Sequence, residues 1–371
     1  MHTVNDIYNF VNSIAPFENA LDFDNVGLLI GDMKCNVTSI LLALDVNKAV
    51  IAEAVASRVS LIICHHPPIW QPLKKIVPSN YVWNLIKHDI NLIAAHTNLD
   101  LARGGVNSCL ANALELNNQV PLEIKSCKPC FIVVVFVPIE SLPKLKKAMV
   151  QAGAGEIGNY QSCSFTCEGV GTFIAGASAN PHVGETGEET CVKEVKLEMA
   201  CKSSNLDKVI AALKSVHPYE EPVFHVFENR GLGEQLNMGV WGELTFPASS
   251  LDFLEFVTKK LKVDGCRYFF PKKQEIRRVA CCGGQGSSCL GAAVAAGTDV
   301  LVTGDVKHNV WYEAERLGLG LIDAGHFATE VLVLDWLKAK IVAHYKKIKC
   351  TRAFGDLALE RFFCVEGLER N

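Results

Sequence analysis

The sequence predicts an α/β domain with a mostly parallel sheet, split by an inserted ferredoxin-like α+β domain. Buried strands alternate with helices in the first third of the chain, and the same alternation resumes near residue 236. The segment between them has the order strand–helix–strand–strand–helix–strand. At 371 residues, the chain is long enough for two domains. We therefore expect one α/β domain from residues 1–127 and 233–371, and an inserted domain from residues 128–232.

The first part of the chain begins with an amphipathic helix at residues 4–14, whose apolar residues recur with helical spacing. Continuous apolar runs then alternate with helical segments, and such runs are typical of strands buried on both faces of a sheet. The predicted strands cover residues 40–44, 59–64 and 90–95. The predicted helices cover residues 48–57, 81–87 and 106–116.

The last part of the chain repeats this pattern. The predicted helices cover residues 251–261, 289–296 and 327–339, and the predicted strands cover residues 278–282, 299–302 and 319–322. In the middle segment, strands are predicted at 131–137, 163–175, 191–200 and 223–228, with helices at 141–151 and 205–215. The most apolar run, FIVVVFV, has the length of a strand and is closed by Pro138, so it does not predict a membrane span.

Composition narrows the class of protein. Hydrophobic residues make up 49% and charged residues 20%, values typical of a globular chain with a sizeable core. A net charge of −4 provides no basic field, so nucleic-acid binding is not expected. The N-terminus has neither a basic start nor a continuous apolar stretch, so we expect a cytoplasmic protein whose 15 cysteines are mostly buried free thiols.

The pair His65–His66 is the sharpest chemical feature. It directly follows a predicted buried strand and precedes Pro67-Pro68, so the chain is extended and leaves the sheet there. Ligands of open α/β sheets gather at the carboxyl ends of strands, where His96 and His326 also lie. The pair is either a set of metal ligands or two polar residues at a strand end, one solvated and one hydrogen-bonded.

Two carboxylates accompany these histidines. His326 and Glu330 are four residues apart at the start of a helix, a spacing that suits a metal site and also an exposed polar pair. Asp100 follows His96 by four residues, in the loop after the predicted strand at 90–95. There it is either a cap or a ligand. The candidate ligands are therefore three imidazoles and two carboxylates, from His65, His66, Asp100, His326 and Glu330.

This donor set predicts two divalent metal ions per chain. Mixed imidazole and carboxylate ligands suit zinc, iron or manganese. Five ligands hold two ions with open positions, which is typical of a hydrolytic centre. In that centre Glu330 and Asp100 are also candidates for proton acceptors. Asp305, at another strand end, is a candidate to support a ligand.

A glycine-rich turn at residues 283–288 follows a predicted strand and opens a helix. Such a turn can present amide N–H groups to an anion. Because it matches no nucleotide-binding pattern, a tight strand-to-helix turn is the favoured interpretation.

Five stretches, spread over nearly the whole chain, match the pattern of one known family. They are Phe23-Asp24-Asn25-Val26-Gly27-Leu28, His65-His66-Pro67, His96-Thr97-Asn98-Leu99-Asp100, Thr303-Gly304-Asp305 and Gly325-His326-Phe327-Ala328-Thr329-Glu330. On these stretches the chain resembles the Nif-three-like family, whose members are often labelled GTP cyclohydrolase I type 2 homologues. The resemblance implies that the equivalents of the five candidate residues hold a dinuclear metal centre. It also implies GTP as substrate, with attack at C8 of guanine, release of formate and formation of dihydroneopterin triphosphate.

Three further matching stretches lie in the middle segment: Ala152-Gly153-Ala154-Gly155-Glu156-Ile157-Gly158-Asn159-Tyr160, Cys163-Ser164-Phe165 and His217-Pro218-Tyr219-Glu220-Glu221-Pro222. On these stretches the segment is similar to the PII- and CutA-like insertion of longer bacterial members of that family. The resemblance implies a homohexamer, a ring of dimers whose metal centres face an internal cavity.

Two positions depart from the family pattern. Phe23 stands where tryptophan is common, and His308 lies one residue before the usual histidine position, now occupied by Asn309.

The function expected from the residues and the resemblance is a metal-dependent hydrolase acting on a small molecule such as a nucleotide. The alternatives are a metal-dependent regulatory or metal-trafficking protein without turnover, and an interaction scaffold with structural metals.

Overall fold

The computed structural model describes residues 2–158, 160–271 and 275–358. Two compact units are formed, one from Met1–Lys125 with Leu236–Asn371 and the other from Ser126–Gln235. The predicted α/β domain includes residues 272–274 and 359–371, and the motif at 152–160 includes Asn159; these lie outside the described residues. The fold combines helices with mixed sheets, so the predicted α/β class is confirmed.

Fifteen strands are present in the described residues. They are β1 (His2–Thr3), β2 (Gly27–Ile30), β3 (Asn36–Val37), β4 (Ser39–Ala43), β5 (Leu61–Cys64), β6 (Asn91–Ala94), β7 (Asn117–Pro138), β8 (Phe165–Ile174), β9 (Glu189–Lys202), β10 (Phe224–Ser249), β11 (Arg267–Phe269), β12 (Glu275–Cys281), β13 (Val300–Thr303), β14 (Gly320–Asp323) and β15 (Lys349–Arg352).

The same residues form twelve α-helices. They are α1 (Val4–Ile14), α2 (Lys48–Ala56), α3 (Tyr81–Lys87), α4 (Thr97–Asp100), α5 (Val106–Ala113), α6 (Leu142–Gln151), α7 (Leu206–Val216), α8 (Ser250–Leu261), α9 (Leu290–Ala295), α10 (His308–Leu317), α11 (His326–Glu330) and α12 (Val333–His344). Across the described ranges, no helix combines the length and the apolar character that crossing a membrane requires.

The first unit contains a five-stranded sheet in the order β15-β4-β5-β6-β2. Its strands are parallel except β2, which runs antiparallel to β6. Along β5, Leu61 and Ile63 pack with α1 and α12, whereas Ile62 and Cys64 pack with α2 and α3 on the opposite face. Because both faces are covered, the strand reads as a continuous apolar run in the sequence.

A second sheet in this unit has the order β11-β14-β13-β12-β10. Strands β12, β13 and β14 are parallel, and β10 and β11 pair antiparallel at the two sides. Helices α5 and α8 cover one face, and α9 and α10 cover the other. Strand pairs in this unit are mostly parallel, as predicted, but they form two sheets where a single sheet was expected, because apolar periodicity does not tell which strands pair.

The helices of the last part of the chain need two corrections. The predicted helix at 327–339 is two helices, α11 and α12, separated by a turn at Val331 and Leu332. Apolar residues continue with helical spacing through this turn, so the sequence pattern does not mark it. Helix α10 was missed, although buried Val310 and Ala314 are four residues apart and Gly318 ends the helix in the left-handed conformation at φ 70°.

The second unit follows the order β7-α6-β8-β9-α7-β10, and its strands lie in the order β10-β7-β9-β8. Strands β7 and β9, and likewise β8 and β9, pair antiparallel. One core lies between this sheet and the two helices, and it includes Val133, Val135, Leu145, Leu197 and Leu213.

The central strand β5 generates a stability prediction. Replacing fully buried Ile63 with alanine should destabilise the fold by about 2–5 kcal/mol, because the lost methyl groups leave a cavity in a close-packed core. The control is Ile76→Ala, since Ile76 is 44% exposed and its truncation should change stability by less than about 0.5 kcal/mol. Urea denaturation followed by circular dichroism measures both. Equal stability of the two variants would contradict the assignment of Ile63 to the core.

Candidate metal centre

Strand ends bring polar side chains to one edge of the five-stranded sheet. Ala43 of β4 pairs with Cys64 of β5, and Cys64 pairs with Ala94 of β6, so the three strands end at one level. The next residues along the chain include Asp45, the pair His65–His66 and His96.

The second sheet supplies the remaining residues in the same way. Thr303 of β13 pairs with Asp323 of β14, and Asp305 and His326 follow these strand ends. His326 begins α11 and Glu330 ends it, so one helical turn sets their spacing.

His65 is held in one tautomer. Its Nδ1 lies 2.8 Å from the carbonyl oxygen of Ala95, which only accepts, so Nδ1 carries the proton. Complete burial lowers the pKa of His65 to about 4, so the ring is neutral and Nε2 has a free lone pair. Nε2 is buried and has no hydrogen-bond partner among the described residues, a state that a metal ion would relieve.

His66 lies between two carboxylates. Its Nδ1 is 2.9 Å from Oδ1 of Asp45, and its Nε2 is 2.9 Å from Oε2 of Glu330. Burial lowers the pKa of His66, but hydrogen bonds to Asp45 and Glu330 outweigh burial and raise the pKa to about 10.

His326 has a similar arrangement. Its Nδ1 lies 2.7 Å from Oδ2 of Asp305, and its Nε2 lies 3.1 Å from Oε2 of Glu330. Burial opposes ionisation, yet the contacts with Glu330 and Asp305 raise the pKa of His326 to about 9. The Nε2 atoms of His66 and His326 are only 3.3 Å apart, so two imidazoles converge on one carboxylate oxygen.

The two candidate carboxylates differ in charge. Burial raises the pKa of Glu330, but its bonds with His326 and His66 outweigh burial and hold the pKa well below its usual range. Burial and the charge of Glu330 raise the pKa of Asp100 well above its usual range. Asp100 was expected in a loop but is the last residue of the short helix α4, and its Oδ1 is 3.5 Å from Nε2 of His65.

The predicted residues are thus brought together. Three groups have potential ligand atoms that lie within 4.8 Å of one another: His65, Asp100 and Glu330; His66, His326 and Glu330; and His65, His66 and His96. All five sequence-predicted residues belong to at least one group, and the donor set of imidazoles and carboxylates fits a divalent metal.

The sequence placed His96 at this edge but left it out of the ligand set, and Asp24 was missed as a part of this centre. Asp24 accepts from Nδ1 of His96 at 3.0 Å and from the hydroxyl of Thr97 at 2.6 Å. Burial raises the pKa of Asp24, but these bonds outweigh it and lower the pKa to about 2. The sequence offered one indication of Asp24, namely its position just before β2. The start of β2 lies beside the end of β6 because the two strands are antiparallel.

Asp45 was also missed, although it follows the end of β4 as His65 follows the end of β5. Asp305 contacts a predicted ligand, as its position at a strand end suggested. His308 is exposed at the start of α10 and contacts the ring of Tyr312.

The glycine-rich turn supports the centre by close packing. The amide of Gly284 donates to Thr329, and the amide of Gly286 donates to Thr303, so both are used within the protein. A Cβ atom on Gly284, which has φ +58°, would lie 2.1 Å from Oε1 of Glu330. These contacts favour the interpretation as a tight structural turn.

The fold and the site define a mixed α/β protein with a candidate histidine–carboxylate metal centre at its strand ends. The family description "Duf34/NIF3 (NGG1p interacting factor 3)" matches residues 2–354, and the chain belongs to this family. The family predicted from the sequence motifs is therefore confirmed.

Two relatives share the name "GTP cyclohydrolase 1 type 2 homolog". The protein of Bacillus subtilis is 38% identical over 330 residues, which cover 88% of this chain and 88% of the relative. The protein of Listeria innocua is 36% identical over 336 residues, which cover 89% of this chain and 90% of the relative. The crystal structure of a Bacillus cereus protein related to NIF3 is similar over 98% of this chain and 99% of the other, with a TM-score of 0.84 and 36% identity.

The close approach of Gly284 to Glu330 predicts a specific loss of metal. Gly284→Ala should weaken metal binding by about 10- to 100-fold, because the added methyl group displaces a carboxylate shared by two ligand groups. In the control Gly291→Ala, a Cβ meets no atom within 4 Å, so metal binding should be unchanged. Competition with a chromogenic chelator measures both affinities. Wild-type affinity in Gly284→Ala would contradict the role given to this turn.

The raised pKa values predict that metal binding releases protons. At pH 7 the rings of His66 and His326, with pKa values of about 10 and about 9, are largely protonated without metal, and their Nε2 atoms must lose protons to bind an ion. Metal affinity should therefore rise as pH increases from 6 to 9. Calorimetry in Tris and in phosphate at the same pH should show different heats, because Tris takes up the released protons with a larger enthalpy. Equal heats in both buffers would contradict this prediction.

Proposed function

We propose that this protein holds two divalent metal ions through His65, His66, Asp100, His326 and Glu330 and uses them in a hydrolase-like site. The observation that carries the proposal is the buried, unpartnered Nε2 of neutral His65 beside Asp100 and Glu330. Glu330 belongs to two ligand groups, which supports two neighbouring ions that share this carboxylate. The mixed nitrogen and oxygen donors suit zinc, iron or manganese.

When bound, such ions polarise a substrate oxygen or C=N group and make a bound water acidic. The residues of the chain perform the remaining tasks. Asp45 and Asp305 orient the rings of His66 and His326, because each accepts from the Nδ1 atom that faces away from Glu330. Glu330 and Asp100 are the candidates to accept a proton, since their oxygens face the shared ligand groups.

The reaction that we propose is of the GTP cyclohydrolase type. Water opens the imidazole ring of guanine at C8, a second water releases C8 as formate, and two ribose carbons then close a new ring on the freed nitrogens with loss of one water, which gives dihydroneopterin triphosphate. The name shared by the relatives from Bacillus subtilis and Listeria innocua supports this substrate class. A site that combines paired carboxylates with neutral and charged imidazoles suits the repeated proton transfers that the hydrolysis needs.

We further propose that residues 128–232 form an inserted ferredoxin-like domain in an α/β domain of residues 1–127 and 233–371. The strand order β10-β7-β9-β8 and the element order βαββαβ support this arrangement. The resemblance to PII- and CutA-like insertions supports a homohexamer built as a ring of dimers. It also favours the second candidate function, a metal-dependent regulatory or metal-trafficking protein without turnover.

Activity measurements separate these functions. The wild type should contain about two metal ions per chain and release formate from GTP. His66→Ala should lower formate release at least about 100-fold, because it removes one ring from the centre. The control His88→Ala changes an exposed histidine after α3 and should keep wild-type activity.

Each outcome has a clear meaning. Bound metal without formate release would favour the regulatory or trafficking function. A correctly folded wild type that binds no zinc, iron or manganese would contradict the metal centre itself. Elemental analysis and a formate assay on the same preparations provide both measurements.

A further inference from the structure

Trp70 lies at the border of the candidate metal centre. It follows His66 by four residues and is 48% exposed. Pro67 and Pro68 restrict the backbone before it, and the side-chain amide of Asn25 donates to the carbonyl oxygen of Ile69 at 2.7 Å. The backbone at Trp70 is thus held in place by neighbouring polar contacts, while about half of the indole remains in solvent.

The indole contacts the centre through His96. The two ring centroids are 5.1 Å apart and their planes are nearly perpendicular, at 87°. The ring of His96 lies in turn 5.1 Å from that of His65 and 5.6 Å from that of His66. Because the planes are perpendicular, the imidazole does not stack over the indole, and the indole remains available to a second planar group.

We propose that Trp70 positions the planar ring of a heteroaromatic substrate, such as a purine, by stacking at the metal centre. This inference rests on the proposed function, because it names the residue that recognises the substrate of that same site. An exposed indole beside a polar centre supplies a flat apolar surface, and stacking on an aromatic side chain commonly strengthens binding of a base by about 5- to 150-fold.

The exposed lysines of the same segment suit an anionic group on such a ligand. Lys74 and Lys75 follow Trp70 by four and five residues, and both are exposed. A ligand with a planar base and a phosphate chain therefore matches the chemistry of this segment better than a purely apolar molecule does. Three probes test these features: guanosine carries only the planar base, inorganic triphosphate carries only the anionic chain, and GTP carries both.

An interface between two copies of the chain is the competing use of this segment. Further apolar side chains are exposed nearby, namely Leu73, Ile76, Val77, Tyr81, Trp83 and Ile86. Trp70 differs from a general apolar surface because its ring contacts a histidine of the centre. We therefore favour a ligand-stacking role for Trp70 and make self-association an outcome of the test.

The test uses the metal-loaded full chain and the variants Trp70→Leu, Trp70→Phe and Trp83→Leu. Leucine keeps apolar bulk but lacks an aromatic face, phenylalanine keeps a smaller aromatic face, and Trp83 is a second exposed tryptophan, in α3. Calorimetry measures the Kd of each probe, tryptophan fluorescence reports contact with the indole, and light scattering measures the mass of the assembly.

We expect guanosine and GTP to quench the wild-type fluorescence, and this part of the signal to disappear in both Trp70 variants. Trp70→Leu should raise the Kd of guanosine and GTP about tenfold and leave that of triphosphate unchanged. Trp70→Phe should restore most of the affinity, and Trp83→Leu should match the wild type. Where GTP is turned over, KM should rise about tenfold in Trp70→Leu while kcat changes less than about twofold.

Several results would overturn the stacking role. They are an unchanged Kd for guanosine in Trp70→Leu, no binding of guanosine or GTP to the wild type, or a changed assembly mass with an unchanged Kd. Failure of the cyclohydrolase proposal is distinguishable from these. Guanosine binding through Trp70 without formate release would contradict only the proposed cyclohydrolase reaction. Formate release with an unchanged KM in Trp70→Leu would contradict only the proposed stacking role of Trp70.

Discussion

A buried carboxylate is the constraint on which the rest of this site depends. The side chain of Glu330 is 5% exposed, so its charge needs compensation within the protein. His66 and His326 approach its Oε2 at 2.9 and 3.1 Å, and His65 lies 3.7 Å away. The turn at Gly284 leaves room for the other carboxylate oxygen. The histidines that follow β5, the residues of α11 and the turn after β12 therefore all serve to accommodate the buried charge of Glu330.

The topology explains how residues 264 positions apart in sequence meet at Glu330. Parallel strands direct their carboxyl ends to one edge, and each of the two sheets contributes such an edge. Helix α5 packs against both sheets, since Val106 belongs to the core beneath β5 and Leu110 to the core beneath β12. The same apolar packing that stabilises this unit thus sets the spacing of the two groups of ligands.

The sequence predicted the strand ends well because buried parallel strands leave continuous apolar runs, and polar residues that follow such runs stand out. This is why His65, His66 and His326 could be identified. The contacts of Asp24 and Asp45 could not, because they depend on which strands are neighbours and on the antiparallel direction of β2. Pairing is a long-range property, and the missed division into two sheets has the same cause. The break between α11 and α12 was missed because apolar spacing continues through it.

The two adjacent histidines show how local surroundings assign different tasks to identical side chains. A carbonyl oxygen and complete burial keep His65 neutral, whereas two carboxylates raise the pKa of His66 to about 10. Glu330 and Asp100 differ in pKa for a related reason: burial and the charge of Glu330 raise the pKa of Asp100, whereas the bonds with His326 and His66 lower that of Glu330. Two buried carboxyl groups with oxygens within 4.8 Å of each other do not both ionise readily without added positive charge. Divalent cations would supply that charge, so the ionisation pattern of the protein itself is an argument for a metal centre at this position.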